Sequence, residues 1–271
     1  MGVQCIDKIF LNGLTCKLDL VEKFKSHKIG NCKFSTILNT TCSELLNSAS
    51  TVSESHEHGD GNKQIGLNSP SDLTPGVYEG GFKVWECSRD MIEFIENELK
   101  LTGPVDCLDL GCGSGIVGIY LLKLTGSNVD FQDFNHNVLK YYTLPNILIN
   151  LKENNESFNE IWNKAHGRIK LISGDWSNFP NDKKYDHIFS CETIYNTDNY
   201  SKLTDILLNC LSPNGAAYFA AKSYYFGVGG GTQEFQDFIK DLPSRPLICE
   251  QIKVIEDCVE RNIIKITHNS S

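Results

Sequence analysis

Among the residues whose types and spacing could carry out chemistry, one glycine-rich stretch stands out, LDLGCGSGIVG at positions 108–118 of this 271-residue chain. Counted from Gly113 it reads G-x-G-x-x-G, which is typical of dinucleotide-binding loops. Counted from Asp109 it reads D-x-G-x-G-x-G, which is typical of methyl-donor loops. In both loops, glycines let the backbone turn tightly between a strand and a helix and approach the ligand closely. The chemistry indicated is hydride transfer or methyl transfer.

Of two acids near this stretch, Asp109 distinguishes the two cofactors and Asp133 is compatible with both. Asp109 precedes the first glycine, and a carboxylate beside a diphosphate would be repelled by it. S-adenosylmethionine carries a sulfonium and an ammonium group and no phosphate, so an acid suits it there. Asp133 stands at the end of the next predicted strand, where a carboxylate can accept hydrogen bonds from ribose hydroxyls of either cofactor. The charges therefore favour methyl transfer.

The elements that position this loop alternate between strands and helices. Short apolar runs predict strands, and apolar residues at three- and four-residue spacing predict helices. The predicted strands are 105–110, 127–133, 168–175, 185–192, 215–223, 248–257 and 261–268. The predicted helices are 86–100, 115–124, 136–151 with a kink at Pro145, 199–211 and 232–242.

This order of elements predicts the fold class. Strands that alternate with helices form a mainly parallel sheet with right-handed crossovers. The last two strands are joined by a turn that is too short for a parallel crossover, so they must pair antiparallel. The expected fold is α/β, a doubly wound Rossmann-like sheet with a C-terminal antiparallel hairpin. This is the arrangement of class I methyltransferases and not of dehydrogenases with six parallel strands.

Composition divides the chain into two parts. Residues 1–70 are expected to form an N-terminal extension that is largely flexible, because the Ser-, Asn-, Thr-, His- and Gly-rich tract at 43–70 contains too little apolar surface to fold. Residues 71–271 are expected to form the S-adenosylmethionine-dependent methyltransferase domain. His56 and His58 form an H-x-H pair, but no further ligands follow at metal-binding spacing, so no metal site is predicted.

Several motifs in order point to a more specific relationship. GVYEGGFKVWECSRD, LDLGCGSGIVGI, FQDFN, SGDW, SCETIYN and KSYYFGVGGG follow one another between about residues 72 and 267. In this combination the chain resembles the protein-histidine N-methyltransferase family of seven-strand methyltransferases. The resemblance implies methyl transfer from S-adenosylmethionine to an imidazole nitrogen of a protein histidine. In the eukaryotic branch the usual acceptor is large-subunit ribosomal protein three.

The resemblance also implies which residues hold the donor. The segment before the first long helix would line the donor pocket, and the glycine loop would hold the methionine part. The end of the second domain strand would hold the ribose and flank the adenine, and the loop after the third would close over the adenine. With Asp109 and Gly113 of the loop itself, the implied residues are Val84, Trp85, Glu86, Cys87, Ser88, Gly111, Gln132, Asp133, Phe134, Gly174, Asp175, Trp176 and Ser190.

The acceptor side is expected after the fourth and fifth strands of the domain. In-line attack by a neutral imidazole requires mainly alignment and a dry site. One group must also accept the proton on the other ring nitrogen, and the candidates are Glu192 and the side-chain carbonyl of Asn196, with Tyr195 beside them. In KSYYFGVGGG, we expect Tyr225 and Phe226 to stack on the target ring and Gly230 to let the loop lie close to the substrate chain.

Other functions are compatible with parts of this pattern. Protein-lysine methyltransferases of the same fold have an acid-x-x-aromatic element like Glu192 to Tyr195, so lysine is the main alternative acceptor. A ribosomal-protein chaperone with the same fold is a non-enzymatic alternative. Amino-group nucleobase methyltransferases have a Pro-Pro-aromatic motif where this chain has SCETIY. Cytosine C5 methyltransferases have a Pro-Cys nucleophile, whereas no proline precedes Cys191, so a nucleobase acceptor is a minor alternative.

Charge and cysteine content set the expected partner and compartment. The net charge of −9 argues against a direct nucleic-acid site and suits a basic protein substrate. No apolar run reaches the ~20 residues of a membrane helix, so no membrane association is expected. The eleven cysteines contain no C-x-x-C pair and are expected to be reduced thiols. The predicted location is the cytoplasm and the nucleus, including the nucleolus.

Overall fold

A computed structural model describes residues 24–29, 31–37, 74, 76–153 and 155–269. They form a seven-stranded sheet with helices on both faces and a separate two-stranded hairpin. Two apolar clusters, one on each face of the sheet, make up the core. No helix in these ranges combines the length and the apolar character that a membrane span requires.

The element bounds agree with the predicted domain to within a few residues. The strands are β1 (Phe24–Ile29), β2 (Cys32–Ile37), β3 (Asp106–Leu110), β4 (Asn128–Asp133), β5 (Ile169–Ser173), β6 (Tyr185–Cys191), β7 (Leu211–Lys222), β8 (Leu247–Ile255) and β9 (Arg261–His268). The helices are α1 (Glu86–Phe94), α2 (Ile116–Leu124), α3 (Leu144–Leu151), α4 (Phe158–Ala165), α5 (Tyr200–Cys210) and α6 (Thr232–Lys240).

The strand order in the large sheet is β5-β4-β3-β6-β7-β9-β8. Strands β3 to β7 pair in parallel, whereas β9 pairs antiparallel with both β7 and β8. The predicted fold class, including the C-terminal antiparallel hairpin, is therefore confirmed. The chain leaves β3 toward β4 on one side and returns to β6 on the other, and such a switch point opens a ligand crevice at the carboxyl ends of the strands.

The connection from β4 to α3 deviates from a regular helix just before Pro145. A short α-helical turn, His136–Val138, leads into a π-helical turn, Leu139–Thr143, and α3 begins at the next residue. Proline lacks the N–H that a continuous helix needs, and it is tolerated in the first turn. The predicted irregularity at this proline is present as the π-helical turn.

The hairpin β1–β2 corrects the interpretation of residues 1–70. Ile29, Phe34 and Ile37 are buried in the same apolar cluster as α2 and α3. Part of the extension is thus an ordered element of the methyltransferase domain, and the boundary at residue 70 is wrong for it. Alternation of apolar and polar residues around Gly-Asn in FKSHKIGNCKFSTI is the signal that could have predicted a hairpin. The tract at 43–70 lies outside the described residues.

Asparagines of α3 hold the hairpin in place. Asn146 accepts a hydrogen bond from the Ile37 N–H at 3.0 Å, and Asn150 accepts one from the Ser35 N–H at 2.9 Å. Helix α4 was also not predicted, although Ser157 and Glu160 form a capping box at its start, which is a sequence signal for a helix.

Candidate functional site

A pocket of about 300 Å³ opens at the carboxyl ends of β3, β4 and β6, where the fold predicts a ligand crevice. Eleven of the residues expected at the site line it: Trp85, Ser88, Gly111, Gly113, Asp133, Phe134, Asp175, Trp176, Glu192, Tyr195 and Asn196. Ten others do not line it: Val84, Glu86, Cys87, Asp109, Gln132, Gly174, Ser190, Tyr225, Phe226 and Gly230.

The glycine loop brings bare backbone to the pocket wall. Gly111 has φ +68°, and a Cβ atom there would lie 2.5 Å from the Thr193 Cγ2 atom. Gly113 has φ +49°, and a Cβ atom there would lie 3.2 Å from the carbonyl oxygen of Gly81. Any other residue would combine a strained backbone with a steric clash. The wall is therefore formed by peptide groups that a ligand can approach closely.

Asp133 is the carboxylate that faces this loop. Its two oxygens accept hydrogen bonds from the Gly113 N–H at 3.0 Å and the Asn135 N–H at 2.9 Å. Burial raises the pKa of Asp133 to about 6, against the lowering effect of these two bonds. Each carboxylate oxygen has a further lone pair, so the group can also accept bonds from ribose hydroxyls. This geometry fits the ribose of S-adenosylmethionine.

The overall charge of the pocket also fits that donor. Five carboxylates and two ammonium groups line it: Glu79, Asp133, Asp175, Glu192 and Asp198, against Lys83 and Lys202. The excess of negative charge attracts a sulfonium cation and would repel a dinucleotide phosphate. Among the described residues, no group of three or more His, Cys, Asp or Glu side chains could hold a metal ion.

Gln132 lies behind the pocket wall and not, as expected, in the pocket lining. Its amide oxygen accepts hydrogen bonds from the Trp176 indole N–H at 2.8 Å and the Gly111 N–H at 3.2 Å. Its amide nitrogen donates to the Gly174 carbonyl at 2.9 Å. The side chain is buried and ties together the loops after β3 and β5. It therefore positions Trp176, which does line the pocket.

Asp109 also has a structural position, which corrects its assignment as a donor-binding charge. Its carboxylate is buried and accepts a hydrogen bond from the Gly118 N–H at 2.9 Å, within the first turn of α2. Burial raises the pKa of Asp109 to about 7. A Cβ atom at Gly118 would lie 2.3 Å from the Phe131 ring, so the helix packs directly on the sheet there. Asp109 thus anchors α2 and does not contact the pocket.

The VWECS segment at the start of α1 contributes only Trp85 and Ser88 to the pocket lining. Trp85 lines the pocket, donates its indole N–H to the Gly80 carbonyl at 3.1 Å and lies 4.2 Å beneath the Lys83 ammonium group. Val84 packs against the core and Glu86 is exposed. Only one or two side chains of a helix turn can face a given cleft, which is why the remaining residues of this motif point elsewhere.

Ser190 and Gly174 support the wall from behind. The Ser190 hydroxyl donates to the Leu110 carbonyl at 2.8 Å and lies 2.6 Å from the Thr193 hydroxyl. Gly174 has φ +122° and accepts the amide of Gln132. Both residues fix the ends of strands whose following residues, Cys191 and Asp175, do line the pocket.

Asp175 is a cap and an ion-pair partner at the pocket edge. It accepts a hydrogen bond from the Ser177 N–H at 2.8 Å at the start of a short 3₁₀ turn, Trp176–Asn178. Its other oxygen accepts the Lys202 ammonium group at 2.9 Å. Hydrogen bonds to Ser177 and Lys202 outweigh desolvation and lower the pKa of Asp175. The acid therefore stays ionised and holds α5 against the pocket.

A segment that the sequence analysis missed covers the pocket. Residues 76–83, here called the strap, supply Glu79 and three glycines to the lining. Asn135 pins the strap: its amide donates to the Val77 carbonyl at 2.8 Å, and its amide oxygen accepts the Glu79 N–H at 3.2 Å. The glycines in GVYEGG were the available signal, because close approach of a strap to a ligand favours them.

Tyr195 and Glu79 join the strap to the loop after β6. The Tyr195 hydroxyl donates a hydrogen bond to the Glu79 carboxylate. Burial and this carboxylate raise the pKa of Tyr195, so the phenol remains protonated and remains a donor. Asn196, the third predicted residue of this loop, uses its carbonyl oxygen to accept the Asp198 N–H at 3.0 Å. Asn196 thus caps a 3₁₀ turn. The Asp198 N–H competes with a substrate histidine for the carbonyl oxygen that was expected to accept the proton.

Glu192 has the most unusual environment in the site. It has φ +59°, a backbone conformation that costs free energy in a residue other than glycine. One carboxylate oxygen accepts a hydrogen bond from the Tyr225 hydroxyl. The other oxygen, Oε1, is buried, and the Cys87 thiol lies close enough to the carboxylate for a hydrogen bond. Burial and the Glu192 carboxylate together raise the pKa of the Cys87 thiol well above its usual range.

The aromatic and glycine-rich loop corrects the acceptor-side interpretation. Tyr225 is turned inward toward Glu192, whereas Phe226 is 88% exposed, so the two rings do not form one wall. Gly230 is buried, and a Cβ atom there would lie 2.5 Å from the Ile194 and Tyr195 carbonyl oxygens. The glycine permits close packing on the enzyme's own chain and not, as expected, on a substrate chain.

Known proteins resemble this chain over most of the described domain. The family described as Lysine methyltransferase matches residues 74–244. "Histidine protein methyltransferase 1 homolog" of Dictyostelium discoideum is 41% identical over 74% of this chain and 62% of its own length. "Histidine protein methyltransferase 1" of Schizosaccharomyces pombe is 32% identical over 73% of this chain and 68% of its own length. "EEF1A lysine methyltransferase 3" of Xenopus tropicalis is 25% identical over 68% of this chain and 73% of its own length.

These likenesses confirm the resemblance that the sequence motifs indicate, and with it S-adenosylmethionine as the cofactor. The chain spans about three fifths of the length of the Dictyostelium relative. The matched region contains the strap, the glycine loop, Asp133 and Glu192, which are the parts that build the pocket. The chain therefore belongs to the family described as Lysine methyltransferase. Among the proteins compared, it is similar to the histidine protein methyltransferases.

Proposed function

We propose that this protein transfers a methyl group from S-adenosylmethionine to an imidazole nitrogen of a histidine in another protein. The relatives named histidine protein methyltransferases support this proposal. The observation that carries it is the position of Glu192, which lines the pocket and whose carboxylate accepts a hydrogen bond from the Tyr225 hydroxyl. A carboxylate in a pocket lining can accept a further hydrogen bond from a bound molecule, so Glu192 is expected to have such a partner in the working complex.

A histidine ring can supply that partner. When one imidazole nitrogen attacks the methyl group, the other nitrogen carries the proton and acquires positive charge. A carboxylate that accepts this N–H selects the reactive tautomer and stabilises the charge that develops. The Tyr225 hydroxyl holds the same carboxylate in place from the opposite side. Glu192 is thus the proposed acceptor of the ring N–H, ahead of Asn196.

The remaining residues position the reactants. When bound, S-adenosylmethionine supplies a methyl group activated by its sulfonium sulfur. Asp133 would accept hydrogen bonds from the ribose hydroxyls, Trp176 would contact the adenine, and the backbone at Gly111 would hold the methionine part. The Tyr195–Glu79 hydrogen bond fastens the strap to the loop after β6 at the pocket. Alignment in a dry site is the main requirement of an in-line displacement by a neutral imidazole.

Lysine is the second candidate acceptor, because the matching family is described as Lysine methyltransferase. An amine must lose its proton before it can attack, and a nearby carboxylate stabilises the protonated ammonium form. Neutral histidine is already abundant near pH 7 and needs no such step. The Glu192 and Glu79 carboxylates in the pocket lining therefore suit histidine better than lysine.

For the acceptor protein we propose large-subunit ribosomal protein three, which the family resemblance suggests. The excess of carboxylates at the pocket supports a basic protein as the substrate. The corresponding site of action would be the cytoplasm and the nucleus, including the nucleolus.

Labelling tests the whole proposal. The protein is incubated with radiolabelled S-adenosylmethionine and ribosomal extract from cells that lack this enzyme, and the labelled residue is located by mass spectrometry. Methylhistidine in large-subunit ribosomal protein three is the expected result. Methyllysine as the only product would assign the protein to the lysine acceptors, and binding of ribosomal protein without any label would favour a chaperone.

A further inference from the structure

The loop at residues 223–231 presents three apolar side chains to solvent beside the pocket. Phe226 is 88% exposed, Val228 44% and Tyr224 40%, and the rings of Tyr224 and Phe226 meet edge-on with centroids 5.2 Å apart. Single exposed apolar residues are common, but a cluster of them indicates contact with another molecule. These three residues are called the apolar tip.

The loop that carries the apolar tip is closed by its own hydrogen bonds. The Tyr225 N–H donates to the Gly230 carbonyl at 2.8 Å. The N–H groups of Val228 and Gly229 donate back to the Tyr225 carbonyl at 3.2 and 3.0 Å. Gly227 and Gly229 have φ values of +81° and +95°, which this tight turn requires. The exposed position of the apolar tip is therefore a property of the turn.

The same loop is attached to the pocket at two points. The Tyr225 hydroxyl donates to the Glu192 carboxylate, and the Gly230 N–H donates to the Tyr195 carbonyl at 3.1 Å. Both Glu192 and Tyr195 line the pocket. A molecule that contacts the apolar tip therefore lies next to the residues that would receive a histidine ring.

An acidic turn adjoins the loop on its other side. The Ser223 N–H donates to the Glu260 carbonyl at 3.1 Å, in the connection between β8 and β9. Glu256, Asp257 and Glu260 of this connection are all exposed. Because β9 runs antiparallel to β7, the acidic turn lies at the same sheet edge as the pocket. Apolar and acidic surfaces are thus continuous there.

We propose that the apolar tip and the acidic turn together form the docking surface for a basic polypeptide segment of the protein acceptor. An apolar side chain of that segment packs on Phe226, and its lysine or arginine side chains pair with the acidic turn. This inference rests on the proposed function, because it describes how a protein reaches the same pocket. It adds a specificity element outside the pocket, where a chain that flanks the target histidine must pass.

A matched pair of surface variants tests the apolar contact. Phe226→Ser removes the most exposed ring, and Leu124→Ser alters a 53% exposed side chain at the end of α2, on the opposite edge of the sheet. With unmethylated large-subunit ribosomal protein three as the acceptor, Phe226→Ser is expected to raise KM about fivefold or more and leave kcat within about twofold. Leu124→Ser is expected to leave both unchanged, and donor affinity should be unchanged in both variants.

A second pair tests the charge contact. Glu256→Lys in the acidic turn is expected to raise the same KM, and the effect should shrink at high salt. Asp241→Lys makes the same charge change at the far end of α6 and is expected to have no effect. An unchanged KM in both Phe226→Ser and Glu256→Lys would overturn the docking surface, as would a loss confined to kcat. If the wild-type protein transfers no methyl group, the proposed function fails, and calorimetric binding of the same ribosomal protein to the four variants decides the docking question.

Discussion

The amide oxygen of Gln132 accepts the indole N–H of Trp176 at 2.8 Å and, from the other side, the backbone N–H of Gly111 at 3.2 Å. One buried side chain therefore sets the distance between the loop after β3 and the loop after β5. Both loops contribute to the same part of the donor-pocket wall, because a Cβ atom at Gly111 would lie 3.7 Å from the Trp176 ring. The residue that joins the two loops does not itself line the pocket.

The first prediction concerns this support. Gln132→Leu leaves the Gly111 and Trp176 N–H groups without an acceptor, at a cost of about 1–3 kcal/mol for each group that stays buried. We expect S-adenosylmethionine to bind about tenfold more weakly, which corresponds to about 1.4 kcal/mol. Titration calorimetry measures the change, and Gln251→Leu on the exposed face of β8 is the matched control. Equal affinity of both variants and the wild type would show that the two loops hold their distance without Gln132.

The second prediction is a pH dependence of donor binding. The pKa of Asp133 is raised to about 6, and ribose hydroxyls bind its ionised form more strongly than its protonated form. Donor affinity should therefore be full above about pH 7 and fall as the pH drops through about 6. Asp133→Asn should bind more weakly at pH 7.5 and lose this pH dependence. The measurement is the dissociation constant from pH 5 to pH 8, and a wild-type profile that is flat across this range would contradict the assignment.

The third prediction separates acceptor chemistry from donor binding. Glu192→Gln retains the shape of the side chain but replaces one acceptor oxygen with an amide, so methyl transfer should fall about 10²-fold. Donor affinity should stay within about twofold, because the ring N–H contact is made only by the acceptor. Glu86→Gln, in the exposed first residue of α1, is the control and should retain full activity. Single-turnover rates measure the effect, and an equal loss in both variants would remove Glu192 from the acceptor site.

The fourth prediction concerns the attachment of the β1–β2 hairpin. The Arg89 guanidinium donates to Nδ1 of His27 at 2.9 Å, so Nε2 carries the proton and donates to the Thr36 hydroxyl at 2.9 Å. Burial, Arg89 and Lys25 lower the pKa of His27 from 6.5 to about 4. The ring is neutral in the folded hairpin, and it becomes protonated near pH 6.5 once the hairpin detaches.

Because the folded form resists protonation, the attachment should be strongest above about pH 6.5 and weaken as the pH falls toward 4. Hydrogen exchange of the β1 and β2 amides, corrected for the intrinsic pH effect, measures this change. His27→Gln, which does not titrate, should show constant protection over the same range. Protection in the wild type that does not change between pH 7 and 5 would contradict the assignment of the His27 charge state.

The sequence alone determined the alternation of strands and helices that builds the large sheet, and the class of ligand. Alternating strand and helix patterns from residue 86 onward predict the parallel sheet, and the short turn before Arg261 requires the antiparallel hairpin. The glycine loop, the acid Asp109 and the C-terminal hairpin indicate the methyl donor, since each is a local pattern along the chain. Local geometry was sufficient for these predictions.

Only the tertiary structure decided which residues of the site motifs line the donor pocket and which lie behind its wall. Asp109 and Gln132 stand in the same motifs as true lining residues, but their side chains point to Gly118 and to Trp176. The direction of a side chain at a strand end depends on the twist and the neighbouring loops, which the motif does not encode. Glu79 was missed for the same reason, because its contact with Tyr195 joins segments 116 positions apart.

The β1–β2 hairpin and the loop at residues 223–231 show that local amino-acid composition does not predict which segments pack against the rest of the protein. The β1–β2 hairpin lies in the N-terminal extension, yet Asn146 and Asn150 of α3 accept hydrogen bonds from its backbone. These hydrogen bonds become apparent only when the hairpin and α3 are packed together. The glycines of YFGVGGG predict close approach to a substrate chain, whereas Gly230 is buried against the carbonyl groups of Ile194 and Tyr195 of the same protein. Glycine permits close packing on either chain, and only the tertiary structure determines which neighbour it meets.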